Sequence, residues 1–387
     1  MGKKIFILIF TCIFVLISCF LSSFAEEKVI KIGGVFSLTG EAVAGYYDKI
    51  GIDLAIDEIN AAGGINGIPV EMVYEDSRSE TSGAVSALKL LLEKENIAGL
   101  LSSQYSTMCF AIDSIIREAG LVSIVGGSNN KLTHMGNKWL FRNRPNDGLM
   151  AATMVRYAVD SLGAKRILLF HNSDEFGTGG ATIAEETLKE LGTELLLNLS
   201  YNSGDKDFTG QLMKSKGKNV DTILWWGHGI EAGLVAKQVK QLGLKVNIVG
   251  SNSWAQEASL MLAGDAALGT YAVTDCIPLE SRMNDPRIAE LVEKYKAKNN
   301  GILSEYGIAA YDAAYLMVEA IRRAGSTDHE KIREALHTIK DFEGALTTYT
   351  VDENGDAAHS GVVLVVQKGG KLGVKKVVYE PGFGKNE

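Results

Sequence analysis

The chain has 387 residues, a formal net charge of −8, 46% hydrophobic residues and 22% charged residues. That length and balance fit two folded lobes rather than a disordered chain, and the acidic surface argues against nucleic acid or anionic lipid as an electrostatic partner. Of the four cysteines, Cys12 and Cys19 fall in the first twenty residues. Cys109 and Cys276 are too few and too far apart for a disulfide framework, so the core must hold the fold.

Lys3 and Lys4 precede the apolar run "IFILIFTCIFVLISCF", which is followed by "LSSFA". A charged start, an apolar centre and a small-residue cleavage site predict a secretory signal over 1–25, cut after Ala25. "LISC" also resembles a lipoprotein box, so a lipid anchor on Cys19 stays open beside it. Without residues 1–25 the charge becomes −10. No later apolar run is long enough to cross a membrane.

From there strands and helices alternate. "VIKIGGVF" (29–36) reads as a strand. "IGIDLAIDEINAAGG" (50–64) places Ile52, Ala55, Ile56 and Ile59 on one helical face and ends at Gly63–Gly64. Strands follow at 68–76, 97–101 and 121–125, with helices over 83–95 and "CFAIDSIIREAG" between them. This βαβαβ pattern with short connections predicts a parallel sheet covered on both faces.

"NKWLFRNRPND" (137–147) breaks the rhythm, and a second series begins, with strands over 166–170, 222–226 and 246–250. A mainly helical block follows, and the last stretch carries the turn signals Asn354–Gly355 and Gly369–Gly370, which read as hairpins. The fold class is therefore α/β, with two doubly wound parallel-sheet units rather than one long sheet.

Catalytic signatures are absent: the chain has no G-x-x-x-x-G-K-[ST], no G-x-G-x-x-G and no G-x-S-x-G. Its six histidines have no metal-ligand spacing. No catalytic residue, metal or cofactor is expected. The polar cluster "LLSSQYST" lies at a predicted strand end and leads into a helix. Ligands of open α/β sheets bind there, and free N–H groups beside hydroxyls suit a carboxylate. Helix capping explains any single hydroxyl equally well. "VGGSNNKLT" repeats the device after the next strand, where Gly126 and Gly127 allow close backbone approach and Ser128 adds a hydroxyl.

The stretch "IKIGGVFSLTGEAVAGYYDKIGIDLAIDEINAAGGINGIPVEMVYED" resembles the opening of the leucine/isoleucine/valine-type substrate-binding proteins of ABC importers. The resemblance continues through "SSQYSTMCFAI", "GGSNNKLT", "HNSDEFGTGG", "DKDFTGQL" and "EYGIAAYDAAY", and so covers nearly the whole chain after the signal. It implies a type I periplasmic binding protein: two α/β lobes joined by a three-strand hinge, closing on a small ligand. The crossings would lie near 141–146, 271–276 and 346–351. The lobes would then be 26–143 with 275–347, and 144–274 with 348–382.

The same resemblance implies that the first lobe holds a ligand carboxylate through Ser103 or Ser106, Thr107, Gly126, Gly127 and Ser128, with Tyr46 or Tyr47 nearby. In the second lobe, Phe176 stands where the family usually has Tyr, and His228 stands at another frequent Tyr. Asn252 replaces the acidic residue that meets a ligand ammonium, and Trp254 follows it at a strand end. A buried ammonium without a carboxylate is costly. Either Asp174, Glu231 or Asp275 serves instead, or the ligand is an amide, a urea, or an aromatic or aliphatic acid. The expected partners are a small solute and the membrane subunits of an ABC permease, and the expected place is the periplasm or cell exterior. A sensor of the same fold that feeds a separate signalling partner is the alternative.

Overall fold

A computed structural model of the protein describes residues 29–40 and 44–383; the expected signal over 1–25 and Cys19 lie outside the described residues. The first sheet is built from β1 (Ile30–Phe36), β2 (Val70–Asp76), β3 (Leu100–Ser102), β4 (Ser123–Val125) and β5 (Leu140–Arg142). All of its neighbours run parallel, in the order β2-β1-β3-β4-β5. β1, β3, β4 and β5 are buried almost throughout, as expected of parallel strands covered on both faces.

Helices supply the cover. The helix Ser106–Ala119 buries Cys109, Ile112 and Ile116 against one face, and Gly120 ends it in a left-handed conformation at φ 58°. On the other face pack the helices Ala44–Ala61 and Glu305–Ala324. Where these two cross, a Cβ on Gly51 would fall 1.7 Å from the Gly307 carbonyl oxygen. Only glycine permits that approach.

The second sheet contains β6 (Ile167–Asn172), β7 (Leu195–Tyr201), β8 (Thr222–Trp226), β9 (Asn247–Gly250) and β10 (Tyr271–Thr274). A short pair, β11 (Phe342–Glu343) and β12 (Thr348–Tyr349), stands apart. β13 (Ser360–Val366) and β14 (Leu372–Tyr379) then complete the second sheet, in the order β14-β13-β10-β9-β8-β6-β7. Its first five strands are parallel; β13 and β14 add antiparallel to the edge as a hairpin, closed by Gly369 and Gly370 at φ 75° and 74°. Two sheets, each with its own cores on both faces, make this a two-lobed α/β fold.

The chain crosses between the lobes three times. It leaves the first sheet after Arg142 and enters the helix Asp147–Arg156, capped by the Asn146 side chain. It returns after β10: Val273 packs in the second lobe, Cys276 and Leu279 in the first. The third crossing comes later than the expected 346–351. Tyr349, Val351, Ala357 and Ala358 all pack in the first lobe, and Val362 is the first residue beyond them in the second lobe's core. Two interactions hold this segment back. The Tyr349 hydroxyl donates to Asp312, and Asp356 bridges Arg142 in parallel register. The Asn354–Gly355 turn closes a short loop, with Asp352 N donating to the Asp356 carbonyl at 2.8 Å and Thr350 N to the Ala357 carbonyl at 3.0 Å, and it turns the chain into that bridge.

Candidate functional site

The C-terminal ends of both sheets face one gap, as open α/β sheets require of a ligand site. The lobes meet across it. Asn129 Nδ2 donates to the Glu175 carbonyl at 2.6 Å, and the rings of Tyr105 and His228 lie 5.3 Å apart. The hydroxyls of Ser253 and Tyr306 are 3.2 Å apart, and Leu303 N donates to Glu257 at 3.1 Å. Closed this far, the gap keeps a cavity of about 10 Å³ lined by Gln104, Tyr105, Ser128, Arg144, Phe176, His228 and Tyr306. That is room for about one water, so a larger solute sits there only with the lobes further apart.

On the first-lobe side, the hydroxyl-rich loop after β3 is tied into its neighbour. The Ser103 hydroxyl accepts from Tyr105 N at 3.1 Å, and its carbonyl accepts from Gly126 N at 3.0 Å. Ser106 opens the helix, and its hydroxyl accepts from Asn129 N at 3.1 Å. These two serines brace the loops, while Ser128 lines the cavity itself. Thr107 Oγ1 is buried without a partner. Gly126 and Gly127 are needed for closeness: a Cβ would meet Gln104 at 2.4 Å in the first case and Leu132, Cys109 and Ser106 within 3.0 Å in the second. Tyr47 lines an adjoining groove, and Tyr46, 45% exposed, lies outside the cavity.

On the second-lobe side, Phe176 and His228 line the cavity with their rings 5.2 Å apart, and Trp226 backs Phe176 at 5.4 Å. His228 Nε2 is 2.7 Å from Asp174, which also caps the helix Glu175–Glu190 by accepting from Gly177 N. Burial alone would lower the His228 pKa; the hydrogen bond and charge of Asp174, with the charges of Glu231 and Asp147, outweigh it and raise it. Burial would likewise raise Asp174, but His228 and the helix N–H groups hold its carboxyl below the usual range.

Two expected residues are placed elsewhere. Trp254 is buried in the second lobe's core, with its indole N–H donating to Thr270 at 2.8 Å and its ring against Trp225. The close approach of Gly250 pulls it inward, away from the gap. Asn252 is buried in a short 3-10 turn, where its side chain accepts from Ser253 N, and it does not line the cavity. The alternative acids are also engaged: Asp174 with His228, Glu231 with Gly204 N, and Asp275 with Arg144.

The structure adds residues that the sequence reading left out. Arg144, on the first crossing, donates to Asp275 at 2.5 Å and to Gln104 and the Gly126 carbonyl at 3.0 Å, and its guanidinium lies 4.8 Å from the Tyr306 ring. Asp147, at the start of the next helix, is buried with Oδ2 unpartnered. Burial pushes its carboxyl up to about 7, against the Ser128 hydroxyl and the charges of Arg142 and Arg144, which favour ionisation. Asp48, also buried with both oxygens unpartnered, is raised well above the ordinary range by burial. The one local signal was the pair of arginines in "FRNRPND", two residues apart in a segment without periodicity.

Comparison with known proteins bears on this geometry. The model of the periplasmic binding protein family matches residues 29–371. The leucine-, isoleucine-, valine-, threonine- and alanine-binding protein of Pseudomonas aeruginosa is 28% identical over 343 residues, 88% of this chain and 90% of that one. The leucine binding protein LivK of Thermotoga maritima superposes with a TM-score of 0.82 at 30% identity, covering 90% of this chain and 99% of that one. LivJ of Streptococcus pneumoniae, a branched-chain amino acid transporter substrate binding protein solved with isoleucine, gives a TM-score of 0.81 at 27% identity over 91% of this chain and 100% of that one.

Proposed function

Because the chain belongs to the periplasmic binding protein family, we propose that it is an extracytoplasmic receptor for an amino-acid-like solute or a small carboxylate or amide. It captures the solute by hinge closure and hands it to the membrane subunits of an ABC importer, acting by binding without turnover. The observation that carries this reading is the gap itself, a cavity lined by residues of both lobes. A solute that touches both walls favours the closed state by the difference in its affinity for closed and open forms. Among the described residues no helix is long and apolar enough to cross a membrane. Export through the segment 1–25 is part of the proposal.

Within the site, Ser128 contacts the solute, Ser103 and Ser106 hold the loops that present it, and Phe176 and His228 close from the other side. Isothermal titration with amino acids, amides, ureas and organic acids tests the reading, with small-angle scattering to detect compaction. Ser128→Ala is expected to weaken binding by about 1–3 kcal/mol. Unchanged affinity in Ser103→Ala, Ser106→Ala and Ser128→Ala alike would remove the site assignment.

A further inference from the structure

We propose that Arg144 binds the solute directly, and that the solute is a small aromatic carboxylic acid without an α-ammonium: its carboxylate meets the Nη2 edge of Arg144, and its ring lies among Tyr105, Phe176 and Tyr306. The inference rests on the receptor reading above and narrows it to one class.

The first observation is an unused pair of donors. The Arg144 side chain is 3% exposed. Its Nε binds Asp275, and its Nη1 binds both Gln104 and the Gly126 carbonyl. Among the described residues none accepts a hydrogen bond from Nη2, although Arg144 lines the cavity. A guanidinium does not give up its proton in a protein, so those two N–H groups remain donors. A carboxylate oxygen is a charge-assisted acceptor for them, about twice as strong as a neutral carbonyl oxygen.

The second observation is the character of the walls. Tyr105, Phe176, His228 and Tyr306 present rings to the cavity, and no Leu, Ile or Val lines it. Ring faces and edges suit a flat aromatic solute better than a branched aliphatic one.

The third is that, among the described residues, no free acid lines the cavity to meet an ammonium. Asp174 and Asp275 are paired with cations, Glu231 accepts a backbone N–H, and the Gly126 carbonyl is taken by Arg144. Asp48 is not among the residues that line the cavity. Asp147 does not line it either.

Titration calorimetry of the purified protein with benzoate, phenylacetate, benzamide, phenylalanine and leucine decides the matter. Benzoate or phenylacetate is expected to bind at least about tenfold tighter than benzamide, phenylalanine or leucine. Arg144→Lys keeps a cation for Asp275 but has no second donor edge; it should weaken the aromatic acid at least about tenfold while the unfolding midpoint without solute holds. If that variant fails to fold, the wild-type series alone decides. Leucine or phenylalanine binding tighter than either acid, or benzamide matching benzoate, overturns the aromatic-acid assignment and leaves the receptor standing. No binding by any amino acid, amide or acid overturns both.

Discussion

Each wall of the gap is anchored by an ion pair, and the two pairs differ. In the first lobe, Arg142 and Asp356 are 0% and 1% exposed and 2.7 Å apart, and further bonds reach Thr133, Asn146 and the Asn129 carbonyl. In the second, His228 and Asp174 are 19% and 23% exposed, and one partner is a histidine whose pKa the pair raises above its ordinary 6.5. The first wall is a platform whose anchor loosens only in acid, where the depressed Asp356 carboxyl takes a proton. The second is held by a charge that the surroundings can remove. The gap therefore has fixed polar groups on one side and a pH-sensitive aromatic face on the other.

Breaking the first anchor should have the largest effect. Asp356→Ala leaves the Arg142 guanidinium buried and unpaired, and about 3–5 kcal/mol of stability should go, read from urea unfolding; a loss below 1 kcal/mol would mean that water reaches the arginine. Next comes Gly126→Ala, whose new Cβ would sit 2.4 Å from the Gln104 side chain. It should cost about 1–3 kcal/mol by forcing Gln104 off Arg144, with solute affinity falling alongside; an unchanged unfolding curve would sink the account of that close approach.

The second anchor sets a smaller, pH-dependent effect. His228 is raised above its ordinary 6.5, so its contribution is complete below about 6.5 and fades as pH rises through the raised value. Asp174 is lowered, so its contribution holds above the ordinary carboxylate range and fades only in acid. Wild type should thus exceed His228→Gln by about 1 kcal/mol near pH 5.5 and by less near pH 8.5. Asp147 also loses stability as pH rises through about 7, so Asp147→Asn is the control that separates the two. A gap between wild type and His228→Gln that does not change with pH would refute the anchor. Trp254→Phe should change solute affinity least, within about 0.5 kcal/mol, because it acts on the core of the second lobe; a tenfold change in affinity would return that residue to the site.

What could be read from the sequence follows the range of the interactions. Buried parallel strands advertise themselves as apolar runs, so β1 and β8 were found to within a residue. Gly126, Gly127 and Ser128 stand out in the sequence because a strand end followed by small and polar residues is a local pattern, and Ser128 lines the cavity. Arg144 was not, because its partner Asp275 is 131 residues away and an irregular crossing gives no period from which to infer direction. Trp254 is no better legible for the same reason: following a strand end does not say which way a ring turns, and the close packing of Gly250 against it decides that. The third crossing comes later than the turn signals suggest because the Arg142–Asp356 bridge, 214 residues apart in sequence, keeps the chain in the first lobe.

The backbone contact between Gly51 and Gly307 bears on how such a clamp deforms. The helix that carries Asp48 and the helix whose first turn carries Tyr306 touch at their crossing with no soft side chain between them. Neither can be squeezed toward the other, so this crossing of the first lobe is an incompressible joint beside the gap.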